Sequence, residues 1–221
     1  MTHKIRVWDL PTRLFHWTLV LCIVAQFVTG NIGGNAMEWH MRNGYLILSL
    51  LLFRLIWGFV GGHWSRFSSF VHGPATVLAY LRGQGKPEHV VGHNPLGAGS
   101  VVAMLLLLLS QVGSGLFSDD EIAASGPLVR HASEAAVAFG THYHRATGKL
   151  MLIVLVLLHV AAIVYYRKKK KQNLVAAMLH GDKELPQVVE ASRDDGKSRA
   201  LAAVVFAGCM ALVLWGVQLA G

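Results

Sequence analysis

Four histidines carry the chemistry open to this sequence in an apolar setting: His16, His40, His144 and His159. Each lies within or at the end of a long apolar run, and His159 sits inside the unbroken stretch 151–164. Ionisable side chains in such runs are costly and usually mark function. Neutral imidazole is a strong iron ligand, and two of them above and below a porphyrin make a low-spin electron-transfer haem. CxxCH, the signature of covalent haem attachment, is absent, so a haem here would be held by ligation and packing alone.

Depth along the helices tests the pairing. His144 and His159 are 15 residues apart. On one helix that is a separation of about 22 Å and an angular offset of about 60°, close enough to one face to hold a haem near each membrane surface. His142 is 17 residues from His159 and would be offset by about 260°, pointing elsewhere. His16 and His159 share the inner depth, and His40 and His144 the outer depth. The natural pairs are His16 with His159 and His40 with His144.

His40 or His144 alone reads more simply as a solvated or hydrogen-bonded interface histidine, while His159 in its apolar run is as readily a ligand as not; the matching of four into two pairs favours ligation. His3, His63, His72, His89, His93, His131 and His180 fall in tails or loops, where solvation is the simpler reading. His63 is the substitute ligand for His16, and His142 the alternative to His144. Zinc is disfavoured, because no two membrane histidines stand at i, i+4 with an acidic partner.

The elements that must position these residues follow from composition. Apolar residues make up 53% of the chain and charged residues 14%, against about 25% charged in soluble domains. Lipid is the natural solvent. Five segments can span a bilayer as helices, near 14–31, 41–61, 99–117, 148–166 and 200–219. The net charge of +8 is concentrated in part at residues 167–171, just after the fourth segment, where basic residues mark a cytoplasmic helix end. No nucleic-acid motif accompanies it. With the N-terminus inside, Lys4, Arg6, Arg13, Arg66, Arg82, Lys86, Lys183, Arg193, Lys197 and Arg199 also fall inside. Asp119, Asp120, Glu121 and Glu134 fall outside, and so the C-terminus ends outside. The two cysteines, Cys22 and Cys209, lie in apolar runs without metal-site spacing. A short amphipathic stretch, residues 70–81, lies in the first inner loop. No internal repeat stands out.

The segment Val7-Trp8-Asp9-Leu10-Pro11-Thr12-Arg13-Leu14-Phe15-His16-Trp17 resembles the opening of the b-type cytochrome subunits of nickel–iron hydrogenases, in the bacterial cytochrome b-561 superfamily. His40-Met41-Arg42-Asn43-Gly44-Tyr45 resembles that family's second-span ligand motif, continued through Arg54, Trp57 and Gly58 and the run Arg66-Phe67-Ser68-Ser69-Phe70. Gly92-His93-Asn94-Pro95-Leu96-Gly97, then His159-Val160-Ala161 with the basic run and Asn173, complete the match over roughly residues 5–181. The resemblance implies an all-α transmembrane bundle: a four-helix core with two bis-histidine b haems in residues 1–181, then a cytoplasmic linker and fifth span in 182–221. Its ligands, carried over by position, are His16, His40, His144 and His159. One departure stands out: the family spaces its fourth-span pair by 14, which here lands on Arg145, so His144 needs a one-residue adjustment such as a local π-bulge.

Haem propionates are anionic, so nearby arginines are the expected counter-charges. Arg13 and Arg54 are candidates inside, and Arg42 or Arg145 outside. Snorkelling to the interface is the competing reading for Arg54. Gly44, Gly113, Gly115 and Gly148 could admit a porphyrin edge or simply allow close helix packing. The functional expectation is an electron-transfer subunit of the bacterial cytoplasmic (inner) membrane. It would link the quinone pool to a redox partner: a hydrogenase-like protein, a flavoprotein or a c-type cytochrome. The alternatives are a stand-alone quinol or superoxide oxidoreductase, and a haem-free transporter or scaffold.

Overall fold

A computed structural model describes residues 2–85, 89, 91–122 and 124–220. Lys86, one of the basic residues assigned to the inside, lies outside the described residues. The long helices are α1 (Leu10–Ile32), α2 (Ala36–Val60), α4 (Pro95–Leu116), α6 (Gly148–Lys168) and α8 (Gly196–Ala220). Shorter helices are α3 (Pro74–Leu81), α5 (Glu134–His142) and α7 (Leu174–His180). A π-helical turn, Tyr143–Thr147, joins α5 to α6, and the three run on as one helix over Glu134–Lys168. Among the described residues five helices are thus long and apolar enough to cross a membrane, at the five places expected. Among the described residues a two-stranded antiparallel sheet accompanies the helices, β1 (His3–Arg6) with β2 (Asp182–Leu185), which pairs His3 with Leu185 and Arg6 with Asp182.

Local chemistry starts these helices. Asp9 caps α1 by accepting from the Thr12 amide at 2.7 Å. Asn94 caps α4 by accepting from the Gly97 amide at 2.8 Å, with Pro95 at the first position, where its missing N–H costs nothing. Between α1 and α2 the chain reverses through Gly33 and Gly34, both at positive φ, which a Cβ would resist. Many large apolar side chains face outward, among them Leu21, Leu106, Leu157 and Trp215, as a lipid-facing surface requires.

The chain divides into two compact units. The first comprises Met1–Phe15, Arg54–Ala103 and Leu157–Val204. Its apolar core is Val7, Trp8, Trp64, Val91, Ala177 and Leu185. Beside that core Asp9, 0% exposed, accepts from Trp57 Nε1 at 3.2 Å, the Gly62 amide at 3.0 Å and Ser65 Oγ at 2.8 Å. With the Thr12 amide, a buried carboxylate therefore ties the start of α1 to the end of α2 and the turn beyond it. Asp194 is a second hub, accepting from the Leu10 amide and pairing with Arg6 and Arg199. Burial alone would raise its carboxyl, but the Arg199 and Leu10 hydrogen bonds and the nearby guanidinium charges win and hold it below the usual range. Lys183 on β2 donates to the Val91 carbonyl at 3.2 Å, and burial lowers its ammonium to about 8.

The second unit comprises His16–Phe53, Met104–Val156 and Val205–Gly221. Leu19, Ile47, Leu51, Leu108, Leu152 and Val213 are buried within it. Phe53 meets Phe206 of α8 edge to face, with centroids 6.1 Å apart, and Ser49 Oγ donates to Met210 Sδ at 3.5 Å.

Candidate functional site

Two of the four histidines meet in the second unit. His40, in the second turn of α2, has Nδ1 at 3.2 Å from the Gln26 carbonyl of α1 and 3.4 Å from Thr29 Oγ1. His144, in the π turn, has Nδ1 at 2.8 Å from the Gln111 carbonyl of α4. A carbonyl only accepts, so each Nδ1 carries the proton and each Nε2 is left with its lone pair. A hydrogen bond from Nδ1 to a carbonyl fixes the ring and its tautomer, so that Nε2 is presented to a metal in one orientation. The ring centroids are 5.9 Å apart with their planes at 88°. Metal–imidazole bonds of about 2 Å put two imidazoles on opposite sides of one metal about 6 Å apart, centroid to centroid.

Both rings line a cavity of about 660 Å³, inside the range of about 300–1,000 Å³ for small-molecule and cofactor sites. Gln26, Gln111, Arg145, Lys149 and Asp120 share its wall. Gln26 Oε1 and Gln111 Oε1 are buried there without a hydrogen bond, a cost that a polar-edged occupant can relieve. Donor set, ring spacing and volume all fit a haem.

The two fourth-span candidates now separate in space. The π turn supplies the one-residue adjustment that the spacing calls for and brings His144 to the cavity, while His142, at the end of α5, is exposed and not part of the wall. Arg145 is in the wall; Arg42 is exposed, pairs with Glu38 one turn earlier and lies over the Trp39 ring. The glycines have distinct neighbours. A Cβ on Gly115 would fall 2.9 Å from His144 Cε1, whereas one on Gly113 would meet nothing within 4 Å.

His16 on α1 and His159 on α6 are each half-buried and belong to different units. Arg54 is 3% exposed and lies 4.9 Å over the Phe67 ring and 6.0 Å over Phe70, with Nη1 making no hydrogen bond. Arg13 donates to the Leu179 carbonyl at 2.7 Å, and its Nη2 is 3.9 Å from Asp194. His63 is engaged by Glu190 at 3.2 Å and Arg66 at 3.3 Å.

Residues 7–181 match the family model described as prokaryotic cytochrome b561. The chain belongs to that family. It is therefore a multi-pass membrane protein of a cytochrome b family. Relatives agree at modest identity. The chain is 30% identical over 142 residues to the "Probable Ni/Fe-hydrogenase B-type cytochrome subunit" of Azotobacter vinelandii, covering 51% of this chain and 59% of the relative. It is 25% identical over 143 residues to the "Probable Ni/Fe-hydrogenase 1 B-type cytochrome subunit" of Escherichia coli K12, covering 51% and 60%. The match thus spans about three-fifths of the length of these relatives. No solved structure matches the chain.

Sequence reading did not single out Gln26, Thr29, Gly30 and Gln111, which lie against His40 or His144. The signal that could have found them is the spacing of glutamine and histidine each four residues before a glycine, which occurs on both sides of the cavity.

Proposed function

We propose that this cytochrome carries electrons between a partner redox protein and the membrane quinone pool through two bis-histidine b haems. The observation that carries the reading is the His40–His144 pair, with both Nδ1 atoms engaged by carbonyls and both rings on one cavity of suitable size. Haem bound there would supply a one-electron iron couple, while the chain would supply the imidazole nitrogens of His40 and His144, the cavity wall, and counter-charge from Arg145 and Lys149. The second haem takes His16 and His159, supported by their shared depth in the sequence, with Arg13 and Arg54 as its cations. Arg42 remains a candidate for the outer propionates through a change of rotamer.

The relatives' printed names point to a hydrogenase-like partner, ahead of a flavoprotein or a c-type cytochrome. The chain sits in the bacterial inner membrane with its N-terminus in the cytoplasm and its C-terminus outside, by the charge bias of the loops. Residues 1–181 form the di-haem domain, a boundary supported by the end of the family match at 181. Residues 182–221 add the linker and fifth span.

The test is haem stoichiometry in the purified, detergent-solubilised chain, with reduced-minus-oxidised spectra of the wild type and of His16→Ala, His40→Ala, His144→Ala and His159→Ala. Two haems in the wild type and the loss of one in each variant are expected. A single haem in the wild type, or both haems retained in every variant, overturns the reading.

A further inference from the structure

The wall of the His40–His144 cavity is built twice. On α1, Gln26 precedes Gly30 by four residues; on α4, Gln111 precedes Gly115 by four. On α2, His40 precedes Gly44 by four, and across the π turn His144 precedes Gly148 by four. Leucines continue the match, with Leu46 and Leu48 in one half and Leu150 and Leu152 in the other.

The contacts repeat with the residues. Each histidine sets its Nδ1 against the carbonyl of its glutamine. A Cβ on Gly30 would fall 3.0 Å from His40 Cε1, and one on Gly115 2.9 Å from His144 Cε1. A Cβ on Gly44 would meet the Gln26 amide, and one on Gly148 the Gln111 amide. Each half is thus a glutamine whose carbonyl fixes the ring, a glycine that makes room for the ring, and a glycine that makes room for the glutamine. Close packing through small residues explains the glycines singly. It does not explain why the same hydrogen bond recurs between the same residue types.

The halves differ at one point. Gln111 Nε2 donates to the His144 carbonyl at 2.8 Å, inside the π turn. Gln26 makes no matching bond to His40 among the described residues. A π turn holds one more residue than an α turn, and π-helix is rare and short. If it relaxed to α, His144 would swing by about 100° around the helix, away from the Gln111 carbonyl. Tyr143 OH and Ser110 Oγ, 2.8 Å apart, form a second tie between the same turn and α4.

We propose that Gln111 is a positioning residue: its amide clamps the π turn and so sets the angle and depth at which His144 meets the outer haem. The inference rests on the reading of His40 and His144 as axial ligands and adds what holds one of them in place. Gln26 has the same place in the other half but only its main chain acts, because His40 sits in regular α-helix.

The test is made on the purified full chain with haem bound. Gln111→Met and Gln26→Met are compared with His40→Ala and His144→Ala by haem content, potentiometric titration and low-temperature EPR. Gln111→Met is expected to keep both haems while shifting the midpoint potential and the EPR g-values of one, and Gln26→Met, which removes a wall amide but no bond to the histidine's turn, to shift them less. Wild-type values in Gln111→Met, or equal shifts in both glutamine variants, overturn the clamp. Retention of both haems in both histidine variants overturns the ligand reading instead. Should Gln111→Met fail to accumulate, Tyr143→Phe is read in its place, with a smaller shift of the same haem expected and an unshifted haem counting against the clamp.

Discussion

The imidazole planes of His40 and His144 stand at 88° to one another, each fixed by a carbonyl from a different helix. Perpendicular axial imidazoles leave the iron orbitals nearly degenerate, and the ferric low-spin EPR signal becomes strongly anisotropic. One haem of the oxidised protein is therefore expected to show a single large low-field g-value, and that feature disappears in His40→Ala and in His144→Ala. A rhombic signal from both haems contradicts the ring geometry.

Gly113 and Gly115 lie two residues apart on α4 and make a matched pair of tests. A Cβ on Gly115 presses on the His144 ring; one on Gly113 has open space. Gly115→Ala is expected to cost about 1–3 kcal/mol through overpacking and to perturb the outer haem spectrum. Gly113→Ala leaves both unchanged. Thermal unfolding in detergent, followed at the Soret band, separates the two.

Asp9 is the buried acceptor on which Thr12, Trp57, Gly62 and Ser65 converge. Asp9→Ala strands those donors and leaves Arg54 without its nearby negative charge. Removing one partner from a buried charged network costs about 3–5 kcal/mol. A large fall in melting temperature is expected, and a smaller one for Trp57→Phe, which removes one donor and trims a fully buried indole to a phenyl ring. An Asp9→Ala variant as stable as the wild type removes the carboxylate from this role.

Lys183 makes stability depend on alkaline pH. Burial lowers its ammonium from 10.5 to about 8 in the folded chain. Between those values the unfolded chain binds the extra proton, so stability rises as pH increases from about 8 towards 10.5. Below that window the folded state carries the full cost of the buried charge. Lys183→Met is then expected to be more stable than the wild type at pH 7, by about 1–3 kcal/mol, and to lose that rise. Melting temperatures from pH 7 to 10.5 give the answer.

Much of this was legible beforehand. Lipid demands long uninterrupted apolar helices, so the five spans could be placed from composition, and His40 and His144 could be paired by depth alone. The π turn was signalled by the family resemblance, whose fourth-span spacing of 14 from His159 lands on Arg145 and calls for a one-residue adjustment to reach His144. The glutamine–glycine repeat was hidden by unequal spacing. Gln26 precedes His40 by 14 residues, but Gln111 precedes His144 by 33, since a loop and α5 are inserted between them. The roles of Asp9 and Asp194 were hidden for another reason: their partners come from distant parts of the chain, and a lone aspartate near a helix start reads only as a cap.

The pairing of β1 with β2 sets an order of assembly. His3 must wait for Leu185 before its strand has a partner. By the time that residue leaves the ribosome, the helices ending at Ile32, Val60, Leu116 and Lys168 have all been made. A chain stalled or cut before residue 182 therefore carries all four proposed haem ligands but an unpaired amino-terminal strand with open backbone amides, a natural mark by which quality control can tell an unfinished molecule from a finished one.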